Sequence, residues 1–188
     1  MNRLEAQQRI KKYLKAHSVY FEMDIDNGVP RYTMLLHGYS SVPDNIIEAS
    51  VEFYEKEIEA RAYFTKGAAD FCRKNREHLP ALMRLFNYIN AVVWMDSADG
   101  AGGTLYQPHH LYTPRLYMTE DSCFDITLTT IISYDFYAVA PLETEDYITA
   151  HCPELLAKLS PAIFGILLGR MDITTAKRYI QTNVIKRW

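Results

Sequence analysis

Apolar residues fall at every second position from Val19 to Ile25, where Val19, Phe21, Met23 and Ile25 alternate with Tyr20, Glu22, Asp24 and Asp26. A period of two marks a strand with one buried face. The run meets Asn27-Gly28, a strong hairpin signal because both central residues of a type I′ turn take positive φ. A two-residue loop there sets Met23 opposite Tyr32, Phe21 opposite Met34 and Val19 opposite Leu36, all apolar and on one face. The other face then pairs Asp24 with Arg31 and Glu22 with Thr33. Turn chemistry and hydrophobic register agree.

Ahead of this hairpin, Ala6, Ile10, Tyr13, Leu14 and His17 recur at helical spacing and predict an opening amphipathic helix. Residues 47–65 support two readings. As strands with a tip near Glu55-Lys56, Phe53 faces Ile58, Val51 faces Ala60 and Ala49 faces Ala62; as a helix, Ile47, Val51, Tyr54, Ile58 and Ala62 line one side. The Val, Phe and Tyr content favours the hairpin, the poor Glu-Lys turn favours the helix, and the hairpin is preferred.

Leu82, Leu85, Phe86, Ile89 and Val93 mark a core helix with Pro80 in its first turn, where a missing N–H is harmless. Residues 97–113 form a long loop with Gly100, Gly102, Gly103 and Pro108. From Phe124 to Phe136 the even positions are mainly apolar, predicting one long strand. Pro153 and Glu154 open a helix running to about Leu168 and bent at Pro161, with Gly169 as its stop and Asp172 capping a short last helix.

The elements predict one α+β domain over residues 1–188, an antiparallel sheet with helices on one face. An internal repeat is a further candidate, with halves 1–75 and 76–188. Arg9-Ile10-x-x-Tyr13-Leu14 returns as Arg84-Leu85-x-x-Tyr88-Ile89, Met23-Asp24 before Asn27-Gly28 returns as Met95-Asp96 before Asp99-Gly100, and Pro30-Arg31-Tyr32 returns loosely at 114–117. Chance likeness of two α+β halves accounts for this equally well.

Composition narrows the function classes. The formal net charge of −3, with both signs spread along the chain, gives no basic footprint for nucleic acid. The polar opening segment carries no signal peptide and the longest apolar run, 162–168, is short of a membrane span, so a soluble cytoplasmic protein is expected. Three cysteines without a C-x-x-C pair read as reduced and buried.

No nucleophile elbow, phosphate loop, dinucleotide fingerprint or zinc-protease string occurs, so no catalytic residue, metal ligand or cofactor is assigned. His109-His110, with Asp96 and Asp99 nearby, would ligate a metal only if the loop folded back, and a solvated loop is the simpler reading. Asp24-x-Asp26-Asn27-Gly28 fails as a calcium loop, having its glycine one position early and no closing glutamate. Cys152 sits beside His151 where a helix is expected to begin, which would lower a thiol pKa, but packing is the plainer role. Cys72 and Cys123 read as buried apolar groups, and His17 and His37 as structural.

The remaining positive feature is aromatic. Fourteen Tyr accompany eight Phe and two Trp. Tyr20, Tyr39, Tyr63, Tyr106 and Tyr112 fall where they are expected to face away from the core, as candidate partner-binding residues. Strand preference alone explains tyrosine equally well.

Leu85-Phe86-Asn87-Tyr88-Ile89-Asn90, then Met95-Asp96 and Asp99-Gly100, and later Ser160-Pro161-Ala162-Ile163, resemble the YbjN family, bacterial proteins labelled sensory transduction regulators. The likeness covers mainly the second half of the chain. It implies a fold like the class I type III secretion chaperones, α+β proteins that commonly dimerise and bind polypeptide; it brings no residue roles. The expected function is therefore a non-catalytic, homodimeric protein-interaction or regulatory module. The alternative is a small-molecule binder or enzyme with a pocket between sheet and helices, lidded by residues 97–113. A deep pocket near His109, Asp96 or Arg115 favours the alternative, and a shallow Tyr-rich sheet face favours the module.

Overall fold

The structure, a computed structural model, describes residues 1–93, 112–119 and 123–185. Among these residues six strands form one antiparallel sheet in the order β1-β2-β3-β4-β6-β5. The strands are β1 (Phe21–Asp26), β2 (Val29–His37), β3 (Ile46–Phe53), β4 (Glu57–Phe64), β5 (Arg115–Met118) and β6 (Ile126–Ser133). The fold is α+β, as the hydrophobic pattern predicts.

Both hairpins stand in the predicted register. Phe21 faces Met34, Met23 faces Tyr32 and Asp24 faces Arg31 across Asn27-Gly28, whose φ angles of 49° and 83° are the positive values a type I′ turn requires. Val19 lies before β1, where its N–H bonds the carbonyl of Leu14 at the end of the opening helix. In the second hairpin Phe53 faces Ile58, Val51 faces Ala60 and Ala49 faces Ala62, so residues 47–65 are strands and not a helix. Pairing on both sides of β3 and β4 outweighs the unfavourable turn.

The helices lie on one face of the sheet. The first, α1 (Arg3–Ala16), starts at a capping box between Asn2 and Glu5 and buries Ala6, Ile10 and Leu14. Next come α2 (Lys66–Lys74), which the sequence pattern did not anticipate, and α3 (Leu79–Val92), which buries Leu82, Leu85, Phe86 and Ile89. On the sheet their neighbours are Ile47, Ala49, Val51 and Phe53 of β3, Ile58, Ala60, Ala62 and Phe64 of β4, and Ile126, Leu128 and Ile132 of β6.

The second half departs from expectation at two places. The strand predicted over 124–136 ends at Ser133; Tyr134–Val139 is a helix (α4) because the Ser133 hydroxyl caps the N–H of Phe136. The chain then stays helical through α5 (Pro141–Asp146), a wide turn over Tyr147–His151 and α6 (Cys152–Leu167). Cys152 thus lies within a continuous helical run.

The long helix α6 passes through Pro161, which removes the N–H that would bond the Ala157 carbonyl one turn back. The hydroxyls of Ser160, at 2.8 Å, and of Ser41, at 3.0 Å, donate to that carbonyl instead. A buried acceptor is thereby satisfied, and the β2–β3 loop is tied to the helical layer. Gly169, at φ 64°, ends this run, and Asp172 caps α7 (Ile173–Tyr179).

No helix among the described residues is long and apolar enough to cross a membrane. The loop 97–113 up to Leu111, with Asp96, Asp99, Tyr106, His109 and His110, lies outside the described residues, as does the corresponding part of the candidate repeat.

Candidate functional site: the uncovered face of the sheet

Alternation along each strand delivers a second, polar set of side chains to the face that no described helix packs against. Strand register arranges them in rows. One row runs Asp24, Arg31, Glu52, Glu59, Ile131; the next runs Glu22, Thr33, Ser50, Arg61, Thr129, Arg115; a third runs Leu35, Glu48, Tyr63, Thr127, Tyr117. Tyr20, just before β1, flanks the third row.

Two arginines organise the charge. Arg31 reaches Asp24 through Nε at 3.0 Å and Asp26 through Nη1 at 2.7 Å. Arg61 bonds Glu59 through Nε at 3.0 Å and meets Glu52 through Nη1 at 3.1 Å. Thr129 donates to Glu59 at 2.8 Å and the Tyr54 hydroxyl donates to Glu52 at 2.7 Å. Burial pushes the Glu59 carboxyl up, but the Arg61 and Thr129 hydrogen bonds and the Arg61 charge outweigh it and hold the group below its ordinary range. Glu52 is 4% exposed although it faces away from the apolar core, with Arg61 and the Tyr54 hydroxyl against its carboxylate.

The third row behaves differently. Burial, reinforced by the charge of Asp125, raises the Glu48 carboxyl, while a hydrogen bond with Tyr63 works the other way. Burial first, then the Glu48 charge, pushes the Tyr63 hydroxyl up to about 12. A hollow of about 210 Å³ lies over this corner, lined by Tyr20, Glu22, Thr33, Leu35 and Glu48. Exposed apolar groups stand among the charges: Leu35 is 46% exposed and Ile131 62%.

Because the folded pKa of Glu48 is raised, its ionisation works against folding as pH rises from the unfolded value, near 4.3, through the folded one. Glu48→Gln removes that penalty. We expect its melting temperature to exceed that of the unmodified protein at neutral pH and to converge with it in acid. Equal shifts at both pH values would contradict the assignment.

The candidate tyrosines do not converge on one patch. Tyr20 is exposed and Tyr63 half-buried on the uncovered face. Tyr39 is half-buried on the helical side, in a second open hollow of about 280 Å³ bounded by Ser41, Glu154, Lys158, Pro161 and Tyr179. Tyr112, expected to face outward, is 4% exposed; it stacks on Tyr147 at 3.9 Å and shares a hydrogen bond with Thr144 at 3.0 Å. Its segment turns inward over the helical run 141–151, a contact between distant parts of the chain that local pattern cannot show. Tyr106 lies outside the described residues.

Leu35, Ile131, Tyr117 and Glu48 were missed. For Leu35 and Ile131 the signal was present: in Met34-Leu35-Leu36 and Ile131-Ile132 consecutive apolar residues cannot all face one side of a strand, so one must point away from the core.

The cysteines are sorted by burial. Cys72 and Cys152 are buried as expected, whereas Cys123 is exposed. Cys152 lacks the helix N-terminus that would activate a thiol, and burial pushes it up to about 12, so the nucleophile reading falls. His17 and His37 are exposed, but each ends a core-facing segment as read: His17 is the C-cap of α1, with its Nδ1 3.0 Å from the Tyr13 carbonyl and its ring tilted against that of Tyr13 at 4.1 Å, and His37 closes β2. Among the described residues no group of His, Cys, Asp or Glu could hold a metal ion.

No family model, no curated protein and no solved structure matches the chain.

Proposed function

We propose that this protein is a non-catalytic polypeptide-binding module of the kind the YbjN and secretion-chaperone resemblance implies, acting through the uncovered face of its sheet and as a homodimer. One observation carries the reading: a wide sheet face on which no helix among the described residues packs, where the exposed side chains of Tyr20, Leu35, Ile131 and Tyr117 stand among fixed ion pairs. Aromatic and aliphatic anchors of low rotamer freedom, held between prepositioned charges, are what a polypeptide interface needs. The hollows beside Glu48 and Tyr39 hold about 210 and 280 Å³, short of the roughly 300–1,000 Å³ of pockets that enclose a small molecule.

The test uses a photo-crosslinking residue at position 35 or 131, with position 158 on the helical side as the control. Polypeptide adducts are expected from the first two positions and not from the third, and Tyr20→Ala should reduce them without altering the melting temperature. Adducts from position 158 alone, or a tight metabolite in a ligand screen with no polypeptide adduct, would overturn the reading. Light scattering after size exclusion checks the dimer, and a strictly monomeric profile at high micromolar concentration would remove that part.

A further inference from the structure

Among the described residues the strand β1 ends the sheet and has one hydrogen-bonded neighbour, β2. Its apolar side chains are uncovered to a degree unusual for a strand that alternates so cleanly: Met23 is 54% exposed and Ile25 72%. On its other face stand Glu22, Asp24 and Asp26. Native edges are commonly blunted by lysine, proline, bulges or a covering element. Here Pro30 lies on β2 and no lysine is in β1.

The backbone of this edge is oriented for pairing. In an antiparallel hairpin closed by a two-residue turn, the pair flanking the turn is hydrogen-bonded and bonded pairs alternate with unbonded ones along the strands. Asp26–Val29, Asp24–Arg31 and Glu22–Thr33 are therefore the bonded pairs, and Ile25–Pro30, Met23–Tyr32 and Phe21–Met34 the unbonded ones. Pro30, which has no N–H, falls on an unbonded pair as this phase demands. Phe21, Met23 and Ile25 thus turn their N–H and C=O groups outward, and these same residues carry the apolar side chains.

We infer that β1 accepts an extended segment of another polypeptide as an added strand, and that this segment alternates basic residues with apolar ones. The inference rests on the polypeptide-binding reading and names the partner's chemistry. Apolar residues of the added strand cover Met23 and Ile25 on the helical side, while its lysines or arginines lie over Glu22, Asp24 and Asp26, with the Tyr20–Glu22–Glu48 hollow beside them. Arg31 bridges Asp24 and Asp26 but leaves the row acidic. The β1 strand of a second copy fits poorly: any register that matches apolar side to apolar side sets the acidic row of one β1 against that of the other, and like charges directly opposite destabilise a strand pair. Main-chain bonds supply attachment here and alternate side chains supply selection.

Three synthetic peptides test this on the intact protein: one alternating lysine and valine, one alternating glutamate and valine, and the lysine peptide N-methylated at alternate residues. The lysine peptide is expected to bind, to slow amide exchange at Phe21, Met23 and Ile25, and to weaken as salt screens it. The other two are expected to bind at least about tenfold more weakly, a difference of about 1.4 kcal/mol. Glu22→Lys should invert the preference between the lysine and glutamate peptides. Met23→Pro, which removes one outward N–H, should abolish binding; if that variant fails to fold, the N-methylated peptide carries the same test. Equal binding of all three peptides, or exchange protection away from β1, overturns the inference. Should the lysine peptide fail while adducts still form at positions 35 and 131, the edge proposal falls and the module reading stands; if both fail, both fall.

Discussion

Phe53→Ala is expected to destabilise the protein by about 3–5 kcal/mol, while Ile131→Ala on the other face of the same sheet is expected to change stability by less than about 0.5 kcal/mol. Phe53 is fully buried, packed edge-on to Tyr32 at 4.9 Å between ring centroids, and its removal opens a cavity that rigid neighbours cannot close. Ile131 belongs to a paired strand of the same sheet yet is 62% exposed, so truncating it removes little area from contact. The contrast between the two measures whether one face of the sheet is free. Denaturant melts of both variants provide it, and a loss above about 2 kcal/mol at Ile131 would mean that something covers that face.

Arg61→Met is expected to cost about 2–3 kcal/mol at neutral pH, less than the 3–5 typical of breaking a fully buried pair because the Arg61 side chain is still 30% open to water. The loss arises on the carboxylate side. The Glu52 side chain is 5% exposed and would remain in place without the cation beside it, and Glu59 would lose two of the influences that hold it ionised. The pH dependence follows from Glu59. A carboxyl depressed in the folded state stabilises the fold above its unfolded pKa, about 4.3, and that stabilisation disappears as pH falls through the folded value. The unmodified protein should therefore lose on acidification what the variant already lacks, and the gap between them should narrow below about pH 4. Urea melts across that range check this. A gap that widens in acid would show that Arg61 acts by packing and not by charge.

Both predictions turn on which face of a strand a residue occupies, and much of that was legible in the sequence. At the first hairpin the Asn27-Gly28 turn sets the register and the alternation sets the faces, so Phe21, Met23, Tyr32 and Met34 share one side as read. The second hairpin was legible in its pairing but ambiguous in its type, since Val51, Ile58 and Ala62 satisfy both periods; β-sheet neighbours on either side decided it. Helices α1, α3 and α6 were visible from period, proline and glycine, because those signals act within a few residues.

What tertiary structure alone decided lies where distant segments meet. Tyr112 is drawn inward onto Tyr147, and Ser41 donates to the carbonyl that Pro161 leaves without its usual partner. The uncovered face has the same origin. Alternation says that a strand has two sides, but which side receives the helices depends on where α1, α3 and α6 pack, and burial against them is a property of the whole chain. Local sequence therefore specified the strands and their pairing, and only the packing of the helical layer determined which row of side chains was left exposed.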